Sequence, residues 1–138
     1  MRTIKFRFFD GKKMCEVGEL TFFADNAGYH INGEFPSTGK DPYSLMQFTG
    51  LLDKSGKEIY EGDIVKYLVH YPRDYQERNP KKKFGRIAGP VQWTKGWLYL
   101  DYDGEDNGDN TLLYEKEAEN WEIIGNIYEN PDLLNPTP

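Results

Sequence analysis

The fold of this chain is decided by the stretch Leu45–Val65, which reads LMQFTGLLDKSGKEIYEGDIV. It contains two turn signals between apolar runs of β-type composition. In the first, DKSG, Asp53 supplies a side-chain acceptor and Gly56 stands last, as suits a type I turn. In the second, YEGD, Gly62 holds the position at which a type II turn needs a positive φ. The stretch therefore predicts strands joined by tight turns, and it contains no motif for nucleophilic, metal or phosphate chemistry.

The run that follows the second turn is strongly apolar. Residues Ile64–Tyr71 read IVKYLVHY, a composition typical of a β-strand. An apolar residue, a tight Gly-Asp turn and an apolar strand together resemble the diverging turn of small SH3-type barrels, where a glycine lets two strands splay into two sheets. We therefore predict an SH3-like small barrel that extends from about Leu45 to the end of the chain.

The residues before this barrel predict an N-terminal β-hairpin region. Residues 3–10 alternate with a period of two, which is the strand signal, and the Asp10-Gly11 pair that follows is a strong hairpin cue. Further short strands are expected before a Gly- and Pro-rich loop at 33–43. We predict that residues 1–44 form the hairpin region with its linker and that 45–138 form the barrel, in one compact unit.

The second half of the chain continues the β pattern. Strands are predicted within Val91–Tyr102, Thr111–Tyr114 and Trp121–Tyr128, with Gly125 as a bulge or bend in the last of them. Asn130 is an N-cap residue followed by proline at the first helical position, which predicts a short C-terminal helical turn that closes the barrel. The predicted fold class is all-β.

The bulk properties describe one soluble domain. At 138 residues the chain can bury a sufficient core without disulfides. It has one cysteine, no continuous apolar region typical of a signal peptide and no run of about 18 apolar residues, so we expect a cytoplasmic protein with no membrane contact. A net charge of -6 disfavours non-specific nucleic-acid binding by the whole surface, although it leaves a local basic patch open.

Three blocks of the sequence together resemble the YopX family of phage and prophage proteins. They are Ile4–Arg7 followed by Asp10–Met14, then Leu45–Val65, and then Trp121–Leu134, which reads WEIIGNIYENPDLL. The blocks stand in the family's order, and Phe9 replaces the tryptophan that the family usually has there. The resemblance implies a β-rich fold with an SH3-like barrel and a phage or prophage origin. It implies no activity, because fold analogy does not supply a site.

The residues with catalytic or metal-binding potential form no recognisable site. Cys15, His30 and His70 all lie in strand-like runs, where packing or surface roles are favoured over a Cys-His pair. The acidic loop that begins at Asp103 matches a calcium-binding loop only in part, because Tyr114 stands where an EF-hand requires glutamate. We therefore expect no enzyme activity, no cofactor and no metal.

A basic segment is the strongest candidate for nucleic-acid contact. It begins in Pro72–Lys83, which is interpreted as a long hairpin loop, and continues into the next predicted strand. Its cations are Arg73, Arg78, Lys81, Lys82, Lys83 and Arg86. Small barrels bind nucleic acid through loops that combine cations with aromatic side chains, and Tyr75 and Phe84 interleave here. Asp74 and Glu77 dilute the charge, so a solvated loop is the favoured interpretation and nucleic-acid contact the alternative.

Aromatic residues provide a second candidate surface. Trp97 and Tyr99 lie in a strong β run and are candidates for lining an exposed groove that suits a peptide or protein partner. The alternative places Trp93, Trp97 and Trp121 in the core, which is the default for tryptophan in a small β domain.

The sequence therefore predicts a non-enzymatic accessory protein of phage or prophage origin that acts by binding a protein partner or by self-association. Strand edges of the N-terminal hairpin favour self-association, because exposed edges must be covered. The alternative is a nucleic-acid-binding small barrel that uses residues 73–86. The expected location is the cytoplasm, of the host cell if the protein is phage-encoded.

Overall fold

The structure is a computed structural model, which describes residues 3–24, 28–34, 45–70, 73–78, 80, 84–94, 97–100, 111–112 and 120–134. At 67–70, 75–76, 84–88, 93–94, 97–100 and 111–112 the description covers the backbone alone. Within these residues the chain is mostly β-strand, as the sequence predicted.

The strands lie in three sheets. In chain order they are β1 Phe6–Phe9, β2 Met14–Glu16, β3 Leu20–Phe22, β4 Tyr29–Ile31, β5 Leu45–Leu52, β6 Glu58–Tyr60, β7 Asp63–His70, β8 Phe84–Thr94, β9 Trp97–Leu100, β10 Thr111–Leu112 and β11 Glu122–Asn126. A short helix, α1, spans Arg73–Arg78, and a 3₁₀ helix spans Pro131–Leu134. The sheets are β2-β1-β5-β6, β10-β9-β8-β7-β11 and β3-β4.

The four-stranded sheet joins the N-terminal hairpin to the stretch that begins at Leu45. β1 and β2 form the predicted hairpin, and Asp10 Oδ1 accepts the N–H groups of Lys12 and Lys13 in its turn at 2.8 and 2.9 Å. β1 also pairs directly with β5. The two predicted segments therefore share a sheet, and the boundary after residue 44 stays a prediction.

The five-stranded sheet contains the second half of the chain. β7 pairs with β8 from Ile64 to His70, and β10 folds back onto β9 as expected. β11 lies on the other side of β7, and its register shifts between Ile123 and Gly125. The bulge predicted at Gly125 is therefore confirmed.

Both predicted turns are present, and the second connects two sheets. In the first, Gly56 has a φ of 84° and its N–H donates to Asp53 O at 2.9 Å. In the second, Gly62 has a φ of 78° and separates β6 in one sheet from β7 in the other. The Gly62 N–H donates to Val91 O, and Gly62 O accepts the N–H of Ile127, both at 2.9 Å. Because a side chain is strained at this φ, glycine allows the crossing.

The segment interpreted as a long hairpin loop contains the helix α1. Asp74 lies in its first turn and Arg78 in its last, which suits the dipole of a helix. Residues four apart also carry opposite charges, so side-chain pairs add to its stability. The loop prediction was therefore wrong over Arg73–Arg78, because it weighed composition and not this spacing.

The core lies where the two larger sheets face each other. Ile59 of β6, Val65 of β7, Val91 of β8 and Trp121 all have 0 % of their surface exposed. Leu51 and Ile123 pack against this cluster, as half-buried residues. The prediction that Trp121 is a core residue is confirmed. No helix in the described residues is long and apolar enough to cross a membrane.

Candidate functional site

One face of the four-stranded sheet carries charged and aromatic side chains. The register places Arg7 opposite Glu16 of β2 and opposite Met46 of β5, and directly opposed residues of antiparallel strands share a face. At the far edge Tyr60 is opposite Phe48, which lies on the same face of β5 as Met46. This face therefore collects side chains from all four strands.

A buried ion pair fixes Arg7 on this face. Its Nη2 donates to Asp63 Oδ1 at 2.6 Å, and the Asp63 side chain is 3 % exposed. The guanidinium also lies over the ring of Tyr60, 4.6 Å from its centroid. Burial raises the pKa of Asp63, and Arg7 opposes that rise. Because Asp63 Oδ2 also accepts the Tyr60 N–H at 2.8 Å, the carboxylate ties β1 to the turn at Gly62.

A more exposed charged group lies beside this pair. Lys5 forms an ion pair with Glu58, and the Tyr60 hydroxyl donates to Glu58 Oε2 at 3.0 Å. The hydrogen bond from Lys5 holds the pKa of Glu58 below its ordinary value. Burial, followed by the hydrogen bond to Glu58, raises the pKa of Tyr60 to about 12. At neutral pH Glu58 is therefore a carboxylate and Tyr60 a protonated phenol.

These groups line a cleft of about 390 Å³. Its polar side chains are Lys5, Glu16, Glu58 and Tyr60. Its apolar walls include Ile4, Val17 and Leu20. Glu16 belongs to β2 and Tyr60 to β6, which are the two edges of one sheet. The sheet must therefore curl, and the cleft lies on its concave side.

Glu16 differs from the other charged groups of the cleft. It is exposed, and within the described ranges no hydrogen bond or ion pair engages its carboxylate. Its backbone is nevertheless fixed, because Glu16 O accepts from Asn32 Nδ2 at 3.2 Å. Asn32 Oδ1 in turn accepts the N–H groups of Gly18 and Glu19 at 2.8 and 3.0 Å. The cleft therefore holds an available carboxylate on an ordered strand end.

The buried carboxylate of Asp53 has a structural role. Its Oδ1 accepts from the Ser55 N–H, the Ser55 hydroxyl and the Lys57 N–H at 2.8, 2.7 and 3.0 Å. Its Oδ2 accepts the Ile123 N–H at 3.2 Å. Burial acts to raise the pKa of Asp53, but these hydrogen bonds outweigh it and the pKa lies below its ordinary value. Asp53 thus joins the β5–β6 turn to β11.

The C-terminal block IGNIYENP is held together by its asparagines. The Asn126 N–H donates to Asn130 Oδ1 at 3.2 Å. Asn126 Oδ1 accepts the N–H groups of Tyr128 and Glu129 at 3.0 and 2.9 Å. A Cβ on Gly125 would lie 2.5 Å from Asn130 Oδ1, so glycine leaves the space that the asparagine fills. These residues support the fold and do not form a site.

Two of the predicted basic residues lie on α1. Arg73 and Arg78 are both exposed. Arg73 Nε lies 3.7 Å from Glu77 Oε1, and Arg78 Nη2 lies 3.2 Å from Asp74 Oδ2. Such exposed pairs are weak, so they offset the positive charge of the helix without removing either cation from solvent.

The remaining predicted residues are described in part or not at all. Lys81, Lys82 and Lys83 lie outside the described residues. Arg86 lies on β8 opposite Leu68, and Trp97 and Tyr99 lie on β9 opposite Thr94 and Gln92. The side chains of Arg86, Trp97 and Tyr99 are outside the described part. The proposed use of these residues as a partner or nucleic-acid surface therefore stays a prediction.

Cys15 and His30 lie in different sheets, on β2 and β4. The Cys15 Sγ is 3.6 Å from Asp10 Oδ2, and burial, followed by the charge of Asp10, raises the pKa of the thiol. His30 packs edge-on against Phe23, with ring centroids 4.7 Å apart. The described ranges contain no group of three or more His, Cys, Asp or Glu residues that could hold a metal ion. The loop that begins at Asp103 lies outside those ranges.

Sequence reasoning did not find the cleft. Lys5 and Glu58 are far apart in the chain, and nothing local links Glu16 to Tyr60. One signal was available in the alternation of β1, which places Lys5 and Arg7 on the same face of the strand. Basic side chains on a partly buried face need acidic partners, so this alternation indicated that carboxylates lie nearby.

Comparison with known proteins places the chain in a family. The family model described as YopX protein matches residues 5–135. Protein EF1440 from Enterococcus faecalis has a similar structure, with a TM-score of 0.62 and 24% identity over 98% of this chain and 100% of that one. Protein yopX from Bacillus subtilis is also similar, with a TM-score of 0.61 and 20% identity over 100% of both chains. No curated protein shows a significant match. Because the family model covers nearly the whole chain, this protein belongs to the YopX family.

Proposed function

We propose that this chain is a non-enzymatic accessory protein, of phage or prophage origin, that acts by binding a protein partner or a second copy of itself. The observation that carries the proposal is the cleft on the concave side of the four-stranded sheet. Its size lies within the range of binding sites for small ligands or side chains. It also has a carboxylate, that of Glu16, which the fold does not use.

The division of the charged residues between fold and cleft supports binding. Asp53 and Asp63 are buried, and each carboxylate is filled by hydrogen bonds that connect strands or turns. Both oxygens of each carboxylate already accept hydrogen bonds from the fold, so these two groups act in stability and are closed to an incoming molecule by burial. Glu16 and the exposed Lys5–Glu58 pair remain available, because exposed ion pairs exchange partners at little cost.

An SH3-like barrel is the architecture that we propose for the part of the chain from Leu45 onward. The position of Gly62 between strands of two different sheets supports it, since a diverging turn has this arrangement. We further propose that the 3₁₀ helix Pro131–Leu134 closes one end. The single cysteine supports a cytoplasmic location, of the host cell if the protein is phage-encoded.

Affinity purification from phage-infected host cells, with and without nuclease, tests the proposal. Binding to a protein predicts that specific proteins remain bound after nuclease treatment, whereas self-association predicts only the tagged chain and a dimeric mass by light scattering. Loss of all bound material on nuclease treatment would favour the alternative, in which residues 73–86 bind nucleic acid. A monomer that retains neither protein nor nucleic acid would contradict binding altogether.

A further inference from the structure

The chemistry of the cleft indicates which kind of partner group it receives, and this inference rests on the proposed binding function. Three of its side chains carry a formal charge: the ammonium of Lys5 and the carboxylates of Glu58 and Glu16. Lys5 and Glu58 neutralise each other. The carboxylate of Glu16 has no such partner in the described part of the chain, so the cleft has a net negative charge.

The walls of the cleft are apolar. Ile4 is 68 % exposed, and Val17 and Leu20 are half-buried. The ring of Tyr60 adds an aromatic surface, and its hydroxyl is already directed to Glu58. A ligand that fits this surface has an apolar stem and a cationic head, which is the construction of lysine and arginine side chains.

The same sheet already contains an arginine bound in this manner. The guanidinium of Arg7 lies over the Tyr60 ring and ends on the carboxylate of Asp63. Aromatic face plus carboxylate is the combination that stabilises a guanidinium away from bulk water. In the cleft, Glu16 supplies a carboxylate beside an apolar wall, which suits a second cationic side chain.

We propose that the cleft binds an arginine or lysine side chain presented by an extended segment of a partner protein. The cationic head pairs with Glu16, and the stem packs on Ile4, Val17 and Leu20. A nucleic-acid backbone does not suit this place, because its phosphates would meet Glu16 and Glu58 on a chain whose net charge is -6.

Binding of short labelled peptides, measured by fluorescence anisotropy at low salt, tests the proposal. The probe is acetyl-Leu-Ala-Arg-Ala-Leu-amide, and its control replaces arginine with citrulline, which has the same shape without the charge. We expect the wild-type protein to bind the arginine peptide about tenfold more tightly than the citrulline peptide. Equal binding of the two peptides, or binding of neither, would overturn the proposal.

Variants at Glu16 locate the contact. Glu16→Lys should abolish the preference for the arginine peptide over the citrulline peptide and should favour a third peptide in which glutamate replaces arginine. Glu34→Lys makes the same charge change at an exposed residue outside the cleft lining, and it should leave the preference for arginine unchanged. Identical behaviour of the two variants would contradict a site at Glu16. Thermal melts of both variants establish that each is folded.

Affinity purification with the same variants separates this inference from the proposed function. If the wild-type protein and both variants retain the same host proteins after nuclease treatment, the protein binds partners but the cleft is not the site. If none retains any protein and the wild-type chain is a monomer by light scattering, the proposed function itself fails. Loss of the bound proteins for Glu16→Lys alone supports both the proposed binding function and the cleft as its site.

Discussion

The most specific structural prediction concerns Gly125, which we expect to tolerate no side chain. A Cβ at this position would lie 2.5, 2.7 and 2.8 Å from Oδ1, Cγ and Cβ of Asn130. Its φ is not in the left-handed region, so the backbone itself accepts alanine. Any cost of Gly125→Ala therefore comes from contact with Asn130 and from loss of the bond that Asn130 Oδ1 accepts from Asn126.

The magnitude follows from these two effects. Overpacking a filled site costs about 1–3 kcal/mol, and loss of one hydrogen bond adds about 1 kcal/mol. We expect Gly125→Ala to reduce the free energy of unfolding by about 2–4 kcal/mol, which lowers Tm by roughly 6–16 °C for a chain of this size. Thermal and urea unfolding measure the change.

A double-mutant cycle identifies the cause. Asn130→Gly removes all three atoms that the new Cβ would meet, so Gly125→Ala should cost almost nothing when it is made in that variant. Gly18→Ala is the matched control, because its Cβ would meet only Asn32 Oδ1, at an ordinary 3.4 Å. Equal costs for Gly125→Ala with and without the Asn130 side chain would refute the steric explanation.

Three further predictions concern carboxylates that are buried or half-buried. Asp53→Ala should lower the free energy of unfolding in urea by about 2–4 kcal/mol, because four hydrogen bonds disappear. Asp53→Asn should lower it by less, and equal losses for the two variants would contradict the hydrogen bonds assigned to Asp53. Arg7→Leu leaves the buried Asp63 carboxylate without its ion-pair partner, so it should lower the free energy of unfolding by about 3 kcal/mol at pH 7. The loss should be smaller at pH 4, where Asp63 is closer to neutral, and a loss independent of pH would argue against the Arg7–Asp63 ion pair. Burial raises the pKa of Glu61 above its ordinary value, so its contribution to stability is present at low pH and declines as pH rises through the folded-state pKa. The stability of Glu61→Gln relative to wild type should therefore increase as pH rises from about 4 to about 7. A decrease of that relative stability over the same range would contradict the raised pKa of Glu61.

Local sequence chemistry predicted the turns and most strands because each depends on a few adjacent residues. Gly62 and Gly56 have the positive φ that their turn positions require, and Gly125 marks a bulge. The helix α1 was not predicted because its charge spacing stands in a stretch whose Pro, Asn and Lys content resembles a loop.

The cleft could not be predicted from local patterns, because it depends on how far the four-stranded sheet curls. The sequence does not state that β2 and β6, the edges of that sheet, approach each other. Only this approach brings Glu16 of one edge to Tyr60 of the other. The roles of Asp53 and Asn130 depend likewise on contacts between distant parts of the chain.

The central claim, that the cleft contacts a protein, is tested most directly by photo-crosslinking in infected cells. A benzoylphenylalanine placed at Leu20, in the wall of the cleft, is compared with one at Leu52, an exposed strand residue outside it. The account predicts a nuclease-resistant protein adduct from position 20 and none from position 52. Adducts with nucleic acid, adducts from position 52 alone, or no adduct from position 20 would contradict it.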